Sequence, residues 1–396
     1  MNIELIQKYV AAEKADAWIL VDYECKNPVM NALLGPKMLT RKIFMVIPAQ
    51  GKPYLITHFI DTVYLKDDET TKRFDLKVYK TWREMLNLEK ELFSSYKTAL
   101  MDVSEFGLLP RVSLADWGSV EYVRSLGIEI KPSANVLQRI TATYSERAYQ
   151  LQLKANEITL GIKDEAFLRI KELIEEKGET DEYEIQQFIA KRFHEEGMVF
   201  DDPPLVAIGR NASDPHYSPT KEIHDKIHED DLVLIDMWAK MDDPEGVYSD
   251  ITWMGFVGHE VPQIYVDRFN IVKNARDAVI SFLEKEIPLR PVMAYEADDV
   301  ARKVISDAGY GEYFVHRVGH NIAVDVSPHG PGANLDDYES KDTRYLLEGT
   351  SFSDEPGIYA PDFGVRSETN LHIRNGKLEV VAGLQDAIIP ILSFKK

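Results

Sequence analysis

Apolar and polar positions change rhythm several times along the chain. Residues 17–21 (AWILV), 42–47 and 53–57 are short apolar runs that predict strands, and Gln50-Gly51-Lys52-Pro53 is a turn signal placed to close a hairpin between the last two. Residues 2–13 and 113–125 instead carry apolar side chains at helical spacing. A long, charge-laced periodic stretch over 145–177 predicts one or two amphipathic helices. Another helix follows over 181–196, with Thr180 as its cap. The pattern then becomes strand-like at 205–208, 232–239 and 248–257. A helix over 262–286 opens on Pro262, suited to a first turn, and a further one is predicted over 294–308. Strands return from about residue 352 to the end. Helices then strands, twice over, predict α+β packing with helices on one face of an antiparallel sheet, behind a smaller α/β domain. The expected domains are residues 1–138 and 139–396, since 396 residues exceed what one hydrophobic core usually supports.

Charge and cysteine usage narrow the function classes. The net charge of −20, from 66 acidic against 46 basic residues, argues against nucleic-acid or anionic-membrane partners, which need a basic footprint. The single cysteine, Cys25, allows no intramolecular disulfide and no thiolate cluster, so a reducing compartment is expected. The opening residues scatter charges through what would be a leader's apolar core, and no apolar run approaches the roughly 20 residues of a membrane span. These features predict a soluble cytoplasmic protein.

Three segments concentrate metal-type side chains. In VLIDMWAKMDDPEGVYSDITW, Asp236 and Asp250 sit on two strands joined by an Asp-Pro-Glu-Gly turn. In SDEPGIYAPDFGVRSE, Glu355 and Glu368 repeat that two-carboxylate hairpin across Pro361-Asp362-Phe363-Gly364. The third, HRVGHNIAVDVSPHGPG, holds His316, His320 and His329. One acid near a turn is ordinarily just solvated. Four acids on apolar strands are different, because burying them together is expensive without a cation. Four carboxylates and an imidazole form an oxygen-rich set suited to manganese, iron, cobalt or zinc, and bridging carboxylates hold paired ions about 3.5–4 Å apart.

These segments resemble the pita-bread metallopeptidases, the family of aminopeptidase P, prolidase and methionine aminopeptidase. The resemblance rests on Tyr248-Ser249-Asp250-Ile251-Thr252, Gly319-His320, Glu355-Pro356-Gly357-Ile358-Tyr359 and Gly364-Val365-Arg366-Ser367-Glu368, with Pro215-His216-Tyr217 as the first histidine motif. It covers about residues 140 to 390, and the first part resembles, more loosely, a creatinase-type amino-terminal domain. The resemblance implies a pita-bread catalytic domain binding two divalent ions, most simply manganese, with cobalt, zinc or iron as alternatives. Asp236, Asp250, His320, Glu355 and Glu368 would be the ligands, with Asp250 and Glu368 bridging. It implies attack by a hydroxide held between the ions, with Glu355 exchanging protons. His216 would contact substrate, His329 would stabilise the carbonyl oxygen, and His316 would line the pocket. Arg366 and Thr252 would support the ligands from behind.

The implied reaction is release of the residue before a peptide bond, at Xaa-Pro, from a small peptide by a homodimer or homotetramer. The added front domain favours aminopeptidase P or prolidase over methionine aminopeptidase. Some positions depart from the family. Trp238 stands where a small residue is usual, Trp253 replaces an arginine, and Ser327-Pro328 lengthens the interval before His329. If both tryptophans line the cleft, they change side-chain preference more than chemistry. The remaining histidines (His58, His194, His224, His228, His259 and His372) are expected to be structural or exposed. Two rivals share the scaffold: a peptidase without proline preference, and a non-catalytic binding protein. Creatinase itself, a metal-free hydrolase, lacks such a ligand set.

Overall fold

The computed structural model describes residues 2–395 except 36, 67, 325 and 326. The chain divides into two compact units, Met1–Thr141 and Ala142–Lys396.

The first unit is built on a six-stranded mixed sheet. Its order is Asp75–Tyr79, Tyr54–His58, Ile43–Pro48, Ala17–Asp22, Thr98–Met101, Glu129–Pro132. The two central strands, Ile43–Pro48 and Ala17–Asp22, are continuous apolar runs because both sheet faces are covered. Trp18, Leu20, Met45 and Ile47 enter one core, while Ala17, Ile19, Phe44 and Val46 enter the other. Antiparallel pairing of Phe44 with Ile56 and Val46 with Tyr54 forms the hairpin expected around Gly51, whose φ of 101° suits glycine. The predicted helix over 113–125 is shorter, Trp117–Ser125, because Asp116 caps it through the Ser119 amide.

In the second unit, the stretch after Ser145 is one helix, Glu146–Lys177. Ser145 caps its start, and Gly178 ends it at a φ of 79°. The next helix, Glu182–Glu195, is capped by Asp181 through the Glu184 amide, one residue after the expected Thr180. Leu232–Met241 and Ser249–Phe256 form an antiparallel hairpin at the centre of a five-stranded sheet. Strand alternation divides its two faces. Val233, Ile235, Met237 and Ile251 pack in a core with the helices Glu146–Lys177 and Glu182–Glu195. Leu232, Leu234, Met254 and Phe256 face a second core, with the helices Gln263–Glu286 and Tyr295–Asp307. The strands Asn321–Ile322, Ser351–Asp354, Thr369–Arg374 and Lys377–Val380 make a second sheet, and Gly357–Tyr359 pairs with Gly364–Arg366. This is the α+β arrangement expected for the larger domain.

Candidate metal centre and its cleft

Alternation fixes which side chains meet. Asp236 lies opposite Thr252, and Trp238 opposite Asp250, so all four project from the hairpin face that carries Leu234 and Met254. In the other sheet, Asp354 pairs with Thr369, so Glu355 and Glu368 flank the end of that pair. Hydrogen bonds join the two carriers. The Glu368 amide donates to the Thr252 carbonyl (3.2 Å), and Thr252 Oγ1 donates to Glu368 Oε2 (2.8 Å). Asn370 accepts from the Asp250 amide (3.0 Å) and donates to its carbonyl (2.6 Å). The Glu355 amide donates to Val318 (2.8 Å), bringing the His320 segment alongside.

The result is a buried cluster. His320 Nε2 lies 3.4 Å from Asp250 Oδ2 and 3.5 Å from Glu355 Oε1. Donor atoms of Asp250, His320 and Glu368 all fall within 4.8 Å of one another. Burial and the mutual repulsion of Asp236, Asp250 and Glu355 hold Asp250 and Glu368 well above the usual carboxylate range. Burial likewise lifts Glu355 to about 7 against the pull of Arg366, and raises Asp236. Asp236 Oδ1 is buried with no hydrogen-bond partner among the described residues. Mutually repelling acids, an imidazole and an orphaned oxygen fit divalent cations.

Behind this cluster stands Arg366, buried, its guanidinium shared among Asp236 Oδ2, Thr252 Oγ1 (2.9 Å) and Tyr359 Oη (3.0 Å). Tyr359 in turn contacts His316 Nε2 at 2.7 Å, and His316 Nδ1 lies 2.6 Å from the Arg317 carbonyl. That carbonyl can only accept, so the proton sits on Nδ1 and Nε2 accepts from the tyrosine. Burial, then the Arg366 charge, lower the His316 pKa to about 3, keeping it neutral. His316 thus sits behind Tyr359 and Arg366 while also lining the cavity.

The cavity, about 750 Å³, is lined by Asp236, Asp250, His320, Glu355 and Glu368 at its floor. His216, Trp238, His316, Ser327, Pro328 and His329 also line it. The His329 ring packs edge-on against His320, with centroids 4.0 Å apart. His216 is exposed, on the loop after the Asn211–Ser213 turn, its amide bonded to Asp214. Trp238 Nε1 donates to Asp201 (2.8 Å). Trp253 is a correction to the cleft expectation. One position out of phase with Thr252, it packs on the helix Glu146–Lys177, with Lys163 Nζ 3.8 Å from its ring centroid. Of the other histidines, His372 is buried against Ser351 Oγ (2.8 Å) and Tyr149, a structural setting. Sequence reasoning passed over Tyr359, Asn370 and Arg317. Tyr359 stood in a quoted motif, but nothing in the sequence alone ties Asn370 to Asp250.

A cavity lined by four carboxylates and an imidazole has the donor set of a divalent-metal site. Residues 153–375 match the model of metallopeptidase family M24, more than half of the chain. The chain belongs to that family. Among curated relatives, an Xaa-Pro dipeptidase of Lactobacillus delbrueckii subsp. lactis is 37% identical over 166 residues, 41% of this chain and 40% of that protein. An uncharacterised peptidase of Staphylococcus haemolyticus is 30% identical over 192 residues, 48% of this chain and 49% of that one. The matched segment therefore spans less than half the length of these relatives. Solved structures resemble nearly the whole chain, and two serve as examples. Dipeptidase PepE from Mycobacterium ulcerans has a TM-score of 0.64 at 20% identity, covering 98% and 96% of the two chains. An X-Pro aminopeptidase from Thermotoga maritima has a TM-score of 0.56 at 20% identity, covering 95% and 97%. At such identity they speak to the fold.

Proposed function

We propose that this chain hydrolyses the peptide bond after the first residue of small peptides, with preference for Xaa-Pro. The observation that carries the proposal is the convergence of Asp236, Asp250, His320, Glu355 and Glu368 on one cavity floor, with their acids held at raised pKa. Names of relatives such as the Lactobacillus Xaa-Pro dipeptidase support the bond preference. These five residues would hold two divalent cations, manganese for choice, with cobalt, zinc or iron as alternatives. When bound, the ions would acidify a water and polarise the scissile carbonyl.

The chain's own side chains supply the rest. Glu355, which lines the cavity beside His320, takes the proton from the attacking water and delivers it to the leaving nitrogen. His329 faces the same cavity and donates to the carbonyl oxygen as it gains charge. His216 contacts substrate from its exposed loop, and Trp238 narrows the cleft near Asp201. His316, through Tyr359, keeps Arg366 on Asp236 and Thr252. The free thiol Cys25 suits a reducing cytoplasm, and the resemblance favours a homodimer or homotetramer. No helix among the described residues is long and apolar enough to cross a membrane.

Product analysis by mass spectrometry on manganese-loaded protein tests this reading with Ala-Pro, Ala-Pro-Ala and Ala-Ala-Ala. Release of alanine from a proline-containing peptide is expected, and Glu355→Ala should abolish it. Hydrolysis of Ala-Ala-Ala alone would remove the proline preference, and an active Glu355→Ala variant would remove the assigned proton carrier.

A further inference from the structure

The strand Leu205–Ile208 runs out into a loop that carries His216 and ends at the short strand Lys226–Ile227. His216 is exposed, and its ring makes no hydrogen bond among the described residues, so the loop has to place it. One side chain gathers that loop. Glu182, the first residue of the helix Glu182–Glu195, is fully buried. Its Oε1 accepts from the Ile208 amide (2.8 Å) and from Asn211 Nδ2 (3.0 Å), at the start of the loop. Its Oε2 accepts from Tyr217 Oη in the middle and from the Asp225 amide (2.8 Å) at the end. The Glu182 amide returns a bond to the Asp225 carbonyl (3.2 Å). One turn further along the helix, Gln186 Nε2 donates to the Pro219 carbonyl (3.1 Å).

The same loop is seated on the strands that support the acid cluster. Ser213 Oγ donates to the Ala360 carbonyl (2.6 Å), and a Cβ on Gly364 would overlap the Ala212 carbonyl oxygen. Ala360 follows Tyr359, and Gly364 opens the strand that holds Arg366. Burying an ionised carboxylate is expensive, and well-packed apolar side chains would stabilise the fold as well. What the carboxylate adds is geometry. Donors from the start, middle and end of the loop converge on its two oxygens, and charge-assisted bonds of this kind are strong and directional. Tyr217 adjoins His216, so its bond to Oε2 fixes the backbone from which the imidazole projects.

We propose that Glu182 is a positioning residue for the reaction: through Asn211, Tyr217 and the Asp225 amide it holds His216 at the wall of the metal-lined cavity. The inference rests on the peptidase reading above and deepens it. Glu182 is not among the described residues that line the cavity, whereas His216 is, so Glu182 acts through His216 and not on substrate. Misplacing a substrate-contacting group by about 1 Å can cost about 100-fold in rate.

The test measures kcat, KM and manganese affinity with Ala-Pro for Tyr217→Phe and Glu182→Gln, each alone and combined with His216→Ala. Gln presents an amide that can only donate where Glu182 offers an acceptor. Each single variant should lose about tenfold or more in kcat/KM while its manganese affinity stays within about twofold. In the His216→Ala background the same substitutions should cost less than about twofold, because the group they position is already gone. Losses that persist undiminished in that background, or that follow weaker manganese binding, overturn the proposal. Tyr217→Phe keeps the ring against the core and removes only the hydroxyl, so it decides alone if Glu182→Gln does not fold. Cleavage of Ala-Ala but not Ala-Pro would sink the proline preference alone, and the cycle is then run on Ala-Ala. If no peptide is cut, the peptidase reading falls by itself, and hydrogen exchange over residues 209–217, read by mass spectrometry, decides on Glu182. Faster exchange there in Tyr217→Phe supports the clamp, and exchange equal to the wild type overturns it.

Discussion

Arg366 has no solvent to fall back on, so each direction of its guanidinium is spent on a protein oxygen. A lysine there carries the charge but lacks the planar fork, and would leave Thr252 or Tyr359 unmatched. Arg366→Lys is therefore expected to weaken divalent-metal binding by about 10–100-fold, as measured by calorimetric titration. Unchanged affinity would show that the fork does not orient the carboxylates. Glu89, in the first unit, gives a second residue-level prediction. It is buried, its Oε1 lacks a partner among the described residues, and burial raises its pKa from 4.5 to about 7. Its neutral form is favoured in the folded state, so stability is fully present below about pH 4.5 and is lost as pH rises through 7. Glu89→Gln should equal the wild type near pH 4 and exceed it at pH 8 by on the order of 2–3 kcal/mol, read by urea unfolding. Parallel pH profiles for the two proteins would contradict this.

Among the elements, the contact between the His320 segment and the strand Ser351–Asp354 is very close. A Cβ on Gly319 would overlap the Ser353 carbonyl oxygen, which is backbone and cannot rotate away. Gly319→Ala should cost about 1–3 kcal/mol in denaturant unfolding and move His320 off Asp250 and Glu355, weakening metal binding too. A variant with native stability and native metal affinity would mean that the two segments part without consequence. Strand period also explains which element-level expectations hold. Apolar alternation assigns Asp236, Asp250 and Thr252 to one face of their hairpin, and the same rule puts Trp253 on the other. The cleft expectation for Trp253 came from its family position, where an arginine is usual, and strand phase overrides it. Caps were legible to within one residue, since Thr180 and Asp181 are adjacent and either side chain can accept an amide; only the backbone turn decides.

For the molecule as a whole, the acid cluster makes folding and metal binding one equilibrium. Bound cations replace repulsion among Asp236, Asp250, Glu355 and Glu368 with attraction, and the unfolded chain offers no such site. A divalent ion at about 100 times its Kd should add about 2.7 kcal/mol of stability. Differential scanning calorimetry should show Tm rising on manganese addition and falling again with chelator. A Tm indifferent to metal would separate the cluster from metal binding.

The sequence by itself determined the succession of helices and strands, the two carboxylate hairpins and the histidine segment, because each depends on local periodicity and turn chemistry. It also carried the family resemblance in its motifs. Tertiary structure alone decided how the carriers meet: Asn370 clasping Asp250, Thr252 bridging to Glu368, Glu355 held by Val318. These bonds join residues more than a hundred positions apart in the first two cases, and short-range periodicity holds no record of such pairs.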